Sequence, residues 1–238
     1  MKKYLMDMRM PELKELLAGW GEPAFRHKQV YGWLMRGVRP NEMRNIPGTL
    51  RERLSQLPFG GAEICERRVS EKDGTVKYLF QLDDDELVEG VLMRYHHGNT
   101  FCLSTQAGCR MNCAFCASTL GGLRRNLSEG EMLSQVLAVE QDEKLEAKER
   151  AITNIVMMGS GEPLDNFDHV LGFLQRATSL EGLGISARNI SVSTCGLAPA
   201  IHRLYQEAPP VTLCVSLHAH NDALRDTLLP INKKYPIA

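Results

Sequence analysis

Apolar positions in the first sixty residues recur at helical spacing. Leu13, Leu16 and Leu17 fall on one side of a helix whose first turn can hold Pro11, and Gly21 marks its end. A second helix is expected from Pro23, with Phe25, Val30, Trp33 and Leu34 as its buried stripe. From residue 62 the texture becomes that of strands. Segments 64–69, 76–82 and 87–95 are β-like, separated by Lys72-Asp73-Gly74 and by Asp83-Asp84-Asp85, a run that reads as a solvated turn.

After Thr100 strands and helices alternate. A strand is expected over 101–106, and Ser128-Glu129-Gly130-Glu131 is a capping-box signal for a helix reaching about Arg150. Segments 152–158, 190–194 and 211–217 are short apolar strands, each followed by a turn and a helical stretch. That alternation predicts an α/β fold with a parallel sheet of four βα units, too few to close a barrel. It also divides the chain into a helical domain over 1–60, an antiparallel β connector over 61–98 and a parallel α/β core over 99–238. In such folds functional groups gather beyond the carboxyl ends of the strands.

Composition adds constraints. A chain of 238 residues, 43% hydrophobic, buries a real core, which excludes global disorder. No stretch approaches the roughly twenty apolar residues of a membrane span, and the amino terminus is interrupted too early for a signal peptide, so a soluble, cytoplasmic protein with no membrane partner is expected. The net charge is −1, yet residues 1–80 carry 15 basic and 10 acidic side chains, leaving the remainder acidic. The basic helical part is either a solvated face or an RNA-facing surface.

Seven cysteines, three of them at 109, 113 and 116, fit reduced thiols better than a secreted disulfide framework. Three soft ligands so close favour zinc, copper(I) or an iron–sulfur cluster. Zinc lacks a second paired motif here, and a thioredoxin-like pair has no use for Cys109. A cubane held by three thiolates would leave one iron open to an outside ligand.

Cys109-x-x-x-Cys113-x-x-Cys116 after a first strand and Gly161-Glu162-Pro163 after the next resemble the radical S-adenosylmethionine (SAM) superfamily. With Arg125-Asn126-Leu127, Val192-Ser193-Thr194, Ser216-Leu217-His218-Ala219 and Pro230-Ile231-Asn232-Lys233-Lys234-Tyr235, the chain resembles the bacterial dual-specificity RNA methyltransferases within it. The resemblance runs from about Leu13 to Pro236. It implies a radical SAM partial barrel and methylation of C2 of an adenine in 23S rRNA and tRNA, by way of a methyl-cysteine and a 5′-deoxyadenosyl radical. The implied cofactors are a [4Fe-4S] cluster and SAM, and the implied partners RNA and an electron donor, for a monomeric protein.

By the same resemblance Cys109, Cys113 and Cys116 ligate the cluster, and Gly161, Glu162, Ser193, Ser216, Leu217 and His218 bind SAM. Glu89 is implied as the proton acceptor; in an otherwise apolar strand it is expected in apolar surroundings with a raised pKa, or else facing water on an edge strand. Cys102, by pattern alone a buried core thiol, is implied as the cysteine that resolves a protein–RNA adduct by forming a disulfide. Cys195 and Cys214 match no functional position and are expected to be structural. The family's methyl-carrying cysteine and its last βα units have no counterpart here, so a carboxyl-terminally truncated member, inactive alone in methyl transfer, is expected. The competing reading is a non-catalytic RNA-binding module with a structural metal site.

Overall fold

The computed structural model describes residues 4–143 and 150–237. Among the described residues are seven α-helices: α1 (Met10–Gly19), α2 (Arg26–Leu34), α3 (Gly48–Ser55), α4 (Glu129–Glu143), α5 (Phe167–Thr178), α6 (Ala198–Glu207) and α7 (Asp222–Leu228). The strands are β1 (Ala62–Val69), β2 (Val76–Leu82), β3 (Leu87–Met93), β4 (Thr100–Cys102), β5 (Gln106–Gly108), β6 (Leu123–Asn126), β7 (Asn154–Met157), β8 (Ile190–Thr194) and β9 (Thr212–Val215). Seven of them form one sheet in the order β1-β2-β3-β4-β7-β8-β9; β5 and β6 pair separately.

The sheet is antiparallel from β1 to β4 and parallel from β4 to β9. The three antiparallel strands therefore continue directly into the four parallel ones. Successive residues of a strand face opposite sides, and Val91 lies opposite Cys102, which places Glu89, Val91 and Cys102 on one face. That face is open: Glu89 is exposed and Cys102, Val156 and Ser191 are half-buried. The other face, with Val88, Phe101, Ile155, Ile190 and Val192, is buried and joins Met132, Leu133 and Val136 of α4 and Val170, Phe173 and Leu174 of α5 in one core. The Phe101 ring packs edge-on against Phe80, with centroids 6.3 Å apart.

Several expectations need correction. Helix α2 begins at Arg26, so Phe25 lies outside it, 55% exposed beneath the Arg26 guanidinium, while His27 and Tyr31 join Val30 and Leu34 in the buried stripe. The strand expected over 101–106 breaks after Cys102, because the Thr105 and Gln106 amides turn to a single carbonyl, that of Ser160. The Asp83–Asp85 turn is more than solvated: Asp84 takes both Nε and Nη2 of Arg125, at 2.6 and 2.8 Å. The capping box at α4 forms reciprocally between Ser128 and Glu131; its expected continuation over 144–149 lies outside the described residues. Strand β9, read from sequence as a short apolar strand of the parallel sheet, exposes Leu213 and Val215.

The basic helical region folds several charges back on itself. Arg36 lies over Trp33 at 3.9 Å, Arg53 over Trp20 at 4.3 Å and Arg39 over Phe59 at 4.8 Å. Among the described residues no helix is long and apolar enough to cross a membrane.

Candidate functional site

A cavity of about 260 Å³ opens at the carboxyl ends of the parallel strands. Its walls include Cys109, Cys113 and Cys116 on one side, with Gly161, Glu162, Ser193, Cys195, Ser216 and His218 across from them. Residues more than a hundred positions apart thus meet because β7, β8 and β9 run parallel and end together.

The cysteine loop hangs from the β5–β6 hairpin. The Cys109 amide donates to the Gly122 carbonyl at 3.1 Å, and Gly108, at φ +75°, stands so close that a Cβ there would lie 2.0 Å from that same oxygen. Arg110 leaves the loop to bind both oxygens of Asp165 at 2.9 and 2.6 Å, tying it to the segment after β7. Cys109 is buried and Cys113 and Cys116 are half-buried; all three are free thiols. Burial raises the Cys109 and Cys113 pKa values, and the neighbouring thiols and Glu162 add to the shift. Among the described residues no three His, Cys, Asp or Glu side chains converge as a metal-binding group; the three thiols stand around the cavity. Three soft thiols on one cavity fit an iron–sulfur cluster by the chemistry of the donor set.

Glu162 is 4% exposed. Its Oε2 accepts the Cys195 amide at 2.8 Å and its Oε1 the Leu164 amide at 3.1 Å, so this carboxylate joins the loop after β7 to the end of β8. Burial raises its pKa against these hydrogen bonds. Its own amide donates to Gln106 Oε1 at 2.8 Å. Gly161, at φ +106°, has the Gln106 side chain where a Cβ would be, 2.6 Å away. The glycine is therefore required by Gln106 already, before any ligand approaches.

Ser193 and Ser216 meet through their hydroxyls at 3.4 Å. His218, at φ +55°, packs edge-on against Phe115 with centroids 4.8 Å apart, closing the rim over the cysteine loop. Leu217 is half-exposed and does not line the cavity; its carbonyl is held by Arg225.

Glu89 departs from one sequence expectation. Its strand β3 is interior to the sheet, but alternation turns Glu89 to the open face, where the side chain is 53% exposed and pairs with Lys77 Nζ at 2.6 Å. It is neither in apolar surroundings nor on an edge strand. Cys102 sits on the same face, its pKa raised by burial against the opposing pull of the nearby Met158 amide. Met158 in turn lines the cavity. Ser104 links the two regions, donating to the Glu89 carbonyl at 2.7 Å and accepting the Ser160 amide at 2.8 Å.

Three contributors escaped sequence reasoning. Cys195, expected to be structural, is part of the cavity wall, and burial followed by the nearby Glu162 raises its pKa strongly. Gln135, fully buried on α4, clasps the Ser104 main chain through both amide atoms at 3.1 Å; its only signal was a polar side chain at helical spacing from Met132 and Val139. Arg225 carried none beyond its place just before Pro230–Tyr235.

A family model described as the radical SAM superfamily matches residues 103–238, and one described as the ribosomal RNA large subunit methyltransferase N-terminal domain matches residues 3–59. A relative from Pelotomaculum thermopropionicum, named as a probable dual-specificity RNA methyltransferase RlmN, is 50% identical over 234 residues, covering 97% of this chain and 62% of its own. One of the same name from Thermoanaerobacter sp. is 45% identical, covering 98% of this chain and 67% of its own. The chain thus spans somewhat under two thirds of the first of these relatives. The crystal structure of a radical SAM methyltransferase from Sphaerobacter thermophilus is similar with a TM-score of 0.91 and 42% identity, over 98% of this chain and 69% of that one.

Proposed function

Since this chain belongs to the radical SAM superfamily and, within it, to the family of dual-specificity RNA methyltransferases, we propose that it serves methylation of adenine C2 in 23S rRNA and tRNA. The observation that carries this reading is the single cavity shared by Cys109, Cys113 and Cys116 with Gly161, Glu162, Ser193, Ser216 and His218. With a [4Fe-4S] cluster and SAM bound, and an electron donor, the site would have the one-electron chemistry needed to activate an inert methyl group.

The chain's own residues would then divide the work. The three thiols hold the cluster, and the strand ends opposite hold SAM, with Ser193 and Ser216 offering hydroxyls and Leu217 its main chain. Phe115 and His218 narrow the mouth and restrict water. Glu89, open to solvent beside Lys77, would accept the C2 proton from an RNA base lying on the open face. Cys102, on the same face and kept as a thiol by burial, would resolve a covalent adduct with RNA. Residues 1–60 would dock the RNA, 61–98 present Glu89, and 99–238 form the catalytic core.

Anaerobic reconstitution with iron and sulfide tests this. The expected product binds about four irons per chain, shows a spectrum perturbed by SAM, and loses the cluster in Cys113→Ala. Stoichiometric zinc without a response to SAM would instead favour an RNA-binding module with a structural metal.

A further inference from the structure

Arg225 is 3% exposed on α7 and spends its guanidinium on main-chain carbonyls. Nη2 donates to the Cys195 carbonyl at 2.6 Å and to that of Ser216 at 3.4 Å, and Nε donates to that of Leu217 at 3.1 Å. Nη1 donates to Asn232 Oδ1 at 2.6 Å. Asn232, also buried, is aimed in turn by Asp222 Oδ1 at 2.9 Å and Asp226 Oδ1 at 2.7 Å, which accept from its Nδ2. Two carboxylates thus act on the guanidinium through an amide that fixes its orientation, leaving its remaining donors for the carbonyls.

Two of the three carbonyls belong to residues of the cavity's far wall, and the third to the residue that follows one of them. Cys195 and Ser216 line it, and Leu217 precedes His218, whose positive φ turns its ring onto Phe115. Among the described residues strand β9 has β8 as its neighbour on one side only, and its last ladder bond is Ser216 N to Thr194 O at 2.8 Å. Beyond that bond the main chain leaves the sheet, and Arg225 is what holds it. The end of α7 reaches the opposite wall as well: the Leu228 carbonyl accepts the Ala114 amide, inside the cysteine loop, at 2.9 Å.

We propose that Arg225 and Asn232 are positioning residues, which preset the spacing between the cysteine loop and the SAM-binding strand ends by fixing both to α7. The assignment rests on the cofactor reading given above. Arg225→Lys keeps the charge but offers one nitrogen where three now donate, and Asn232→Ala removes the group that aims the guanidinium.

SAM is titrated into reconstituted wild-type protein and both variants by calorimetry, alongside iron content, thermal midpoint and the electron paramagnetic resonance of the reduced cluster. Each variant is expected to fold and take up its full iron, yet to bind SAM roughly tenfold or more weakly, with an altered SAM-dependent resonance. The double variant is expected to be little worse than Arg225→Lys alone, since the pair acts as a unit. Wild-type affinity, to within about threefold, in a folded, iron-loaded variant overturns the assignment, and either variant suffices. Loss of folding in both makes the pair a structural support and overturns it too. If the wild-type protein itself takes up a cluster but binds no SAM, the cofactor reading fails first and the assignment with it.

Discussion

Asp84 meets Arg125 with both carboxylate oxygens, which holds its pKa below the usual carboxylate range. A carboxylate whose pKa is lowered by folding stabilises the protein above its unfolded value, about 4, and that contribution fades as pH falls through the folded value. Asp84→Asn is therefore expected to be less stable than wild type at pH 7, by no more than about 1 kcal/mol for so exposed a pair. The difference should vanish on acidification, as read by urea unfolding at several pH values. Glu89 makes the opposite point about burial. Because it faces water beside Lys77, Glu89→Gln should change unfolding stability by less than about 1 kcal/mol, and a loss of several would show that packing holds it after all.

At the scale of elements, helix α1, strand β8 and the reciprocal Ser128–Glu131 cap follow the sequence pattern closely, since local spacing and capping determine them. The cysteine spacing and the Gly161-Glu162 loop also marked where the cavity would be. What local pattern does not carry is which face of a strand meets solvent, as at Glu89, or which distant carbonyls a lone arginine satisfies, as at Arg225. The break after Cys102 is of the same kind, because the carbonyl that draws Thr105 and Gln106 away comes from Ser160, after a different strand. The β5–β6 hairpin offers a direct test. Gly108→Ala should cost at least about 2 kcal/mol, since a Cβ would collide with the Gly122 carbonyl at a positive φ. It should also lower iron uptake, measured as iron per chain after reconstitution.

For the molecule as a whole, the fold is expected to stand without the cluster. The cavity walls are joined by hydrogen bonds among protein groups, Glu162 to Cys195, Arg110 to Asp165 and Arg225 to three carbonyls, while the core under the sheet is apolar. Stripping iron with a chelator is accordingly expected to bleach the cluster absorption and release three titratable thiols while the far-ultraviolet circular dichroism stays within about a tenth of its starting value. Collapse of that signal would make the metal part of the folding unit.

The seven strands of the main sheet lie side by side in the order in which the chain delivers them. During synthesis at roughly 5–20 residues per second, each strand therefore emerges to find its partner already in place, and no earlier strand must part to admit a later one. The sheet can assemble vectorially as it leaves the ribosome. Helix α7, whose Arg225 ties the cavity walls, follows in the chain every strand it serves, so the pocket can take its shape only once the sheet beneath it is in place.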